Sequence, residues 1–336
     1  MTFGQRLLNT FMSVVYKVLF SVSLFQYSWL QTTHDIAPEN SMVELTARAE
    51  LWIINMDFTL DFPRSLPPNV ILTLPTVIGS THDPKVSLDQ QEVVEFVDNA
   101  SKEGVILFSL GTHMDHIGEH LAGIFARGLA RLQQKVLWHF RGKVSSLPLG
   151  NNTKVVTWIP MQSLMAHPNV RAVLCHGGNG IVHEAAWYGL PIVGIPLFGD
   201  HFDNMLRVSK KGFGIGLDFF KVTEESLYQA VTRVIQEPSF RKNAQRLSNI
   251  LRDDLVAPAD KAAHWITHVT KFGGDYLRPK ILDMNFLQSS MIDVYGFMLC
   301  LSLAFMLMAR KLCLCSCRYL YRRLHGVTEI QKMKQK

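Results

Sequence analysis

From residue 105 onward the chain alternates short, predominantly apolar runs with longer amphipathic ones, and this alternation restricts the fold more than any other feature. The apolar runs are 105–110, 136–140, 155–158, 172–175 and 192–195; the amphipathic ones are 117–132, 181–188 and 204–211, followed by 224–235 and 239–251. Four to six consecutive apolar residues suit a strand buried on both faces. Strands of that kind separated by helices build a parallel sheet with helices packed on each side. The spacing therefore predicts an α/β fold: a doubly wound, Rossmann-like parallel sheet.

In such a sheet ligands meet the carboxyl ends of the strands, where loops and helix N-termini turn backbone N–H groups toward anions. The loops expected there are Ser109-Leu110-Gly111-Thr112, Trp158-Ile159-Pro160, His176-Gly177-Gly178-Asn179-Gly180 and Pro196-Leu197-Phe198-Gly199-Asp200-His201. Paired glycines admit the backbone close to a phosphate, and His176 supplies a ring N–H donor. Trp158 offers a face for stacking a base, and Glu184 falls into the helix that follows the paired glycines.

The two ends of the chain read differently. Residues 291–309, MIDVYGFMLCLSLAFMLMA, carry one charge, Asp293, and match the length of a helix that crosses a bilayer. Of the 34 Lys and Arg and 28 Asp and Glu, eight basic residues and one acidic one lie behind that run, from Arg310 on. The net charge of +6 therefore belongs to a juxtamembrane tail, which predicts a cytoplasmic C-terminus and argues against a nucleic-acid partner. The globular part is then expected in the lumen, with Asn99-Ala100-Ser101 and Asn151-Asn152-Thr153 as glycosylation acceptors. The final Lys332-Met333-Lys334-Gln335-Lys336 looks like a dilysine retrieval signal of the endoplasmic-reticulum membrane. The first 25 residues, with Arg6 and Lys17 in an apolar stretch, lack the cleavage pattern of a signal peptide and read as a half-buried helix. Five cysteines make no disulfide framework: Cys175 ends an apolar run as a small core residue. Cys313, Cys315 and Cys317 read as ordinary cytosolic thiols or as acylation sites. Five prolines between residues 63 and 84 predict an irregular connection.

The order of these loops resembles the donor-binding half of the UDP-glycosyltransferases, the family of the UDP-glucuronosyltransferases and ceramide galactosyltransferase. The resemblance rests on Asp57-Phe-Thr-Leu-Asp-Phe-Pro-Arg64, Phe108-Ser-Leu-Gly-Thr112, Trp158-Ile-Pro160, His176-Gly-Gly178, Glu184-Ala185, Gly194-Ile-Pro-Leu-Phe-Gly-Asp200, and the anchor with its basic tail. It implies two Rossmann-like domains around a cleft, of which this chain holds mostly the second. The implied organisation is a remnant of the acceptor-side domain at 1–64, a linker at 65–90, the UDP-sugar-binding domain at 91–274, a juxtamembrane stretch at 275–290, the transmembrane helix at 291–309 and a cytoplasmic tail at 310–336.

Carried onto this sequence, the resemblance has Trp158 stacking on uracil and His176 contacting the diphosphate. Gly177 and Gly178 aim the next helix at that group, and Glu184 accepts from the ribose hydroxyls. Gly111 and Thr112 close over the diphosphate, and Asp200 with His201 holds sugar hydroxyls. The implied reaction moves a hexose or hexuronic acid (glucuronate, glucose or galactose) from UDP-sugar to a hydroxyl of a lipophilic small molecule or lipid, with inversion. UDP-sugar is the donor substrate, with no further cofactor and no metal. The implied partners are the membrane and related transferases, as homo- or hetero-oligomer. The family's general base, a histidine supported by aspartate, belongs to the acceptor domain and matches no residue here, so the catalytic residues are unassigned. The alternative is a membrane-anchored UDP-sugar-binding fragment without its own base.

Five positions depart from the family pattern. Met161 stands where an amide is usual, with Gln162 beside it. Gly180 and Ile181 replace Asn and Ser or Gly, with Asn179 one place early. His201 replaces Gln, and His139 follows Trp138 in place of Arg. His201 and Met205-Leu-Arg207-Val208 are similar to ceramide galactosyltransferase. Two further motifs suggest other chemistry. His116-Ile-Gly-Glu119-His120 fits a zinc-peptidase pattern but has no distinctive third ligand downstream. Gly212-Phe-Gly214-Ile-Gly216 follows a helix and reads as a helix cap and turn, not a dinucleotide fingerprint.

Overall fold

The computed structural model describes residues 2–78, 88–112, 114, 117–254 and 256–333. The chain forms two compact units, one of residues 50–277 and one of residues 1–49 with 278–336.

The N-terminal part contributes three helices, α1 (Phe3–Phe25), α2 (Ser28–His34) and α3 (Met42–Ala47). Thr2 with Gln5 and Ser41 with Glu44 form capping boxes at α1 and α3, each satisfying otherwise orphaned N–H groups. The half-buried helix expected here is not what forms, because no residue of α1 is buried. Leu7, Phe11, Val14, Val18 and Val22 share one helical face, with Leu8 beside it, and all are exposed, so no core covers that face.

In the larger unit, β1 (Trp52–Asn55) pairs in parallel with β2 (Val70–Thr73) as a small sheet. β2 lies inside the proline-rich stretch expected to be irregular. Pro67, Pro68 and Pro75 fall on either side of it, so its own N–H groups are free to pair. Then follow α4 (Leu88–Asp98), β3 (Val105–Ser109), α5 (Glu119–Ala130), β4 (Lys135–His139), β5 (Thr153–Val156), α6 (Met161–Met165), β6 (Val170–Cys175) and α7 (Asn179–Trp187). The unit continues with β7 (Ile192–Gly194), α8 (His201–Lys211), β8 (Gly214–Gly216), α9 (Glu224–Gln236), α10 (Pro238–Arg252) and α11 (Pro258–Phe272).

β3 to β8 form one six-stranded sheet in the order β5-β4-β3-β6-β7-β8, parallel throughout. This is the doubly wound arrangement predicted, and its order reverses between β3 and β6. Successive strand residues feed opposite cores: Val105, Leu107, Leu137, Val173 and Cys175 lie in one, and Ile106, Phe108, Trp138, Ala172 and Leu174 in the other. That two-sided burial is why these strands read as continuous apolar runs.

The glycine-rich stretch after α8 divides between two roles. Gly212 caps the helix in the left-handed region (φ +73°), as expected. Gly214 to Gly216, expected as a turn, form the edge strand β8. A Cβ on Gly214 would stand 2.3 Å from the Ile192 carbonyl oxygen, so only glycine lets β8 approach β7 this closely.

Of the zinc-type motif, His116 lies outside the described residues, and Glu119 and His120 are exposed at the start of α5. The C-terminal part holds α12 (Phe286–Ser289) and α13 (Ile292–Met333). Helix α13 runs 42 residues, about 63 Å, and continues through the basic stretch expected to be a tail. Of the dilysine pattern, Lys334 and Lys336 lie outside the described residues. Helices α1 and α13 are both long and apolar enough to cross a membrane.

Candidate functional site

The strand-order reversal between β3 and β6 is where a doubly wound sheet leaves a crevice, and a cleft of about 680 Å³ opens there. Its walls come from the segments after β3, β4, β5, β6 and β7. Gly111, Thr112, Trp158, His176, Glu184 and His201 all line it, bringing together six of the nine site residues expected from the sequence. Gly177, Gly178 and Asp200 are not among the lining residues; Gly178 and Asp200 are the N-caps of α7 and α8.

Each loop has a local reason for its shape. After β3, Ser109 Oγ is hydrogen-bonded to His139 Nδ1 at 3.2 Å and accepts from the Gly111 N–H at 3.2 Å. Gly111 has φ +84°, and a Cβ there would lie 2.9 Å from the His176 ring. After β6, Gly177 turns in the left-handed region (φ +80°) and Gly178 is the N-cap of α7. A Cβ on Gly178 would stand 2.4 Å from His176 Nε2, so the imidazole lies directly against this backbone. Nine helical residues then follow with their first N–H groups at this end, a local concentration of positive partial charge. No Lys or Arg is among the described lining residues, so positive potential in this cleft comes from backbone dipoles and imidazole N–H groups.

Trp158 lies two residues beyond the end of β5, is 53% exposed and has its indole near the His139 ring, with centroids 6.3 Å apart. His201 is 5% exposed and sits between His176 and Phe198, each ring centroid 4.6 Å away. Its Nδ1 has no hydrogen-bond partner among the described residues, and burial holds its pKa below the ordinary histidine value. Burial raises the Glu184 carboxyl above the ordinary range. Cys175 is fully buried, and its thiol is pushed up to about 12 by desolvation, so it is not a nucleophile at neutral pH.

The departures from the family pattern now have positions. Met161 lines the cleft, whereas the neighbouring Gln162 donates its amide to the Val77 carbonyl and does not replace the missing contact. Asn179 turns its amide to the Asn55 carbonyl at 2.9 Å, leaving Gly180 and Ile181 to line the cleft. Asp200, expected to hold sugar hydroxyls, accepts from Asn204 Nδ2 through Oδ2 at 2.7 Å. Sequence reasoning missed Met114 and Phe198 as lining residues and Asn204 as the group holding two loops. Asn204 gave no signal beyond its place four residues after Asp200, one helical turn on.

Buried histidines give this unit a stability that depends on pH. His183 is 2% exposed, Nδ1 donates to the Asn179 carbonyl at 2.8 Å, and burial lowers its pKa; His201 is lowered for the same reason. The unfolded chain therefore binds more protons than the folded one once pH falls below about 6.5. Stability is present above that value and declines as pH drops toward the lowered folded values. Glu184 acts with the opposite sign nearer its own ordinary range. We expect the melting temperature to fall between pH 7.5 and 5.5, and the fall to shrink in His183→Gln. An unchanged slope in that variant, followed by circular dichroism, would assign the effect to other groups.

Residues 1–327 match the family model described as UDP-glucoronosyl and UDP-glucosyl transferase. The chain is 36% identical over 296 residues to the 2-hydroxyacylsphingosine 1-beta-galactosyltransferase of Rattus norvegicus, covering 88% of this chain and 54% of that protein. It is 34% identical over 320 residues to UDP-glucuronosyltransferase 2B1 of Rattus norvegicus, covering 95% and 59%. The chain thus spans about half the length of the curated relatives it matches. Among solved structures, the glycotransferase of kitacinnamycin superposes with a TM-score of 0.57 at 18% identity, over 79% of this chain and 66% of that one. Medicago truncatula UGT71G1, solved with UDP-glucose, gives 0.51 at 19% identity, over 60% and 49%. At those identities the structural likeness establishes the fold.

Proposed function

Since the chain belongs to the UDP-glucoronosyl and UDP-glucosyl transferase family, we propose that its cleft binds a UDP-sugar and that it serves transfer of a hexose or hexuronic acid to a hydroxyl of a lipophilic acceptor. The observation that carries this reading is the meeting of two glycine turns, an exposed indole and a half-buried carboxylate in one cleft at the strand-order reversal. Trp158 stacks on uracil, and Glu184 accepts from the ribose hydroxyls, a task for a group with two acceptor oxygens. The N-terminus of α7, with His176 and the Gly111 turn, receives the diphosphate.

These donors are set before the reaction begins, so they favour charge as it grows on the leaving UDP during attack of the acceptor hydroxyl on the sugar C1. The names of the relatives supply galactose and glucuronate as the sugars to test first. In this reading α13 anchors the chain in the endoplasmic-reticulum membrane, with residues 91–274 as the donor domain in the lumen and the basic C-terminal end in the cytoplasm.

The test is calorimetry with UDP and 2′-deoxy-UDP on the full chain in detergent. UDP binds more tightly than the deoxy nucleotide, and Glu184→Ala weakens UDP by about tenfold or more while erasing that preference, the loss expected of hydrogen bonds to a charged acceptor. Folded protein that binds neither nucleotide would refute the proposal.

A further inference from the structure

The stretch from Asn55 to Asp61 supplies no residue that the proposed chemistry uses, yet it is tied to both helices that carry the anion-facing loops. Asp57 folds it into a turn: Oδ1 accepts from the Thr59 N–H at 2.7 Å, and its carbonyl accepts from the N–H groups of Leu60 at 3.0 Å and Asp61 at 2.8 Å. The turn buries the Leu60 side chain in the sheet's core and carries the Asp61 carboxylate inward to 5% exposure. There Asp61 Oδ1 pairs with Arg207 Nε at 3.2 Å. Arg207 Nη1 in turn donates to Asn204 Oδ1 at 2.7 Å.

Asn204, itself 4% exposed, donates through Nδ2 to the Gly177 carbonyl at 3.0 Å and to Asp200 Oδ2 at 2.7 Å. Both amide hydrogens and the amide oxygen are thereby engaged, so the orientation of this group is determined by Arg207 on one side and by the two loops on the other. Asn179 and Lys211 reach the same stretch, at the Asn55 carbonyl (2.9 Å) and the Phe58 carbonyl (3.4 Å).

Gly177 sits at φ +80° and has no side chain of its own to hold its peptide in place. What holds its carbonyl is Asn204, and what holds Asn204 is an ion pair to a turn outside the cleft. We propose that Asp61, Arg207 and Asn204 form a positioning relay through which residues 55–61 fix the Gly177 turn and Asp200, and so set affinity for the diphosphate of the donor without touching the nucleoside. A buried ion pair is weak grounds for stability; its part here is to hold Arg207, whose Nη1 donates to Asn204. The inference rests on the donor-site reading given above.

The test measures UDP by calorimetry and uridine by saturation-transfer NMR on the full chain, with thermal melts to verify folding. Asn204→Ala weakens UDP by about tenfold, and Asp61→Asn, which keeps the shape and loses the charge, by about threefold to tenfold. Uridine binding stays as in the unaltered chain in both, and Arg207→Lys, which keeps a charge toward Asp61, retains more UDP affinity than Arg207→Gln. Should a folded Asp61→Asn chain bind UDP normally, the network is structural and the relay is wrong. Equal weakening of UDP and uridine would also overturn it, as general loosening of the cleft. A failure of the unaltered chain to bind UDP overturns the donor-site reading itself, an outcome distinct from either.

Discussion

Trp158→Ala weakens UDP binding by about fivefold to 150-fold, the range expected from removing a base-stacking indole worth about 1–3 kcal/mol. The same change leaves the melting temperature nearly unaltered, because the side chain is 53% exposed and its only described ring neighbour is His139, at 6.3 Å and edge-on. Trp158→Phe retains a ring face and most of the affinity, whereas Trp158→Leu, apolar but without a π-face, does not. Calorimetry on the three variants separates stacking from simple loss of apolar area. Equal affinity in the Phe and Leu variants would show that the indole contributes area alone, and unchanged affinity in Ala would remove Trp158 from the site.

The second large effect concerns the other tryptophan on this side of the sheet. Trp138 is 1% exposed and stacks between Phe108, with centroids 5.1 Å apart, and Phe140, at 5.0 Å; Phe125 meets the edge of Phe108 at 5.5 Å. Trp138→Ala removes a large buried ring and leaves a cavity among residues held on both sides by strands and α5, at a cost of about 3–5 kcal/mol. For a unit of this size that lowers the melting temperature by about 6–20 °C. Measured well below the transition, UDP affinity changes little, because Trp138 does not line the cleft. A melting shift below about 3 °C would mean that the aromatic stack repacks around the loss.

The two tryptophans show what could be read in advance. Both lie in short, largely apolar runs, Trp138 in the middle of 136–140 and Trp158 at the end of 155–158. In the structure the first run is a full strand with Trp138 inside the sheet, while β5 stops at Val156 and leaves Trp158 in the loop. An edge strand has a partner on one side only, so fewer ladder bonds hold its end, and Pro160 removes a donor just beyond. Its expected place in a loop at a strand's carboxyl end, together with the motif resemblance, and not the apolar run alone, singled out Trp158 for stacking a base. The N-terminal helix marks the opposite limit: its apolar face predicted burial, but a one-sided pattern does not name what covers it, and α1 packs none of its residues into a core.

What the sequence determined by itself is the layered parallel sheet, since continuous apolar runs with helices between them have one economical way to bury both faces, together with the loops that must then meet at one end. It also placed six of the cleft's residues, because the positions of those loops follow directly from the strand order. Only the tertiary structure decided that Asn204, Arg207 and Asp61 join a distant turn to the anion-facing glycine, that Asn179 turns away from the cleft, and that Gly214 to Gly216 complete the sheet. Those outcomes depend on contacts between residues as far as 146 positions apart in the chain, Asp61 and Arg207, and no local period or propensity encodes which polar side chains will find each other once the core has closed.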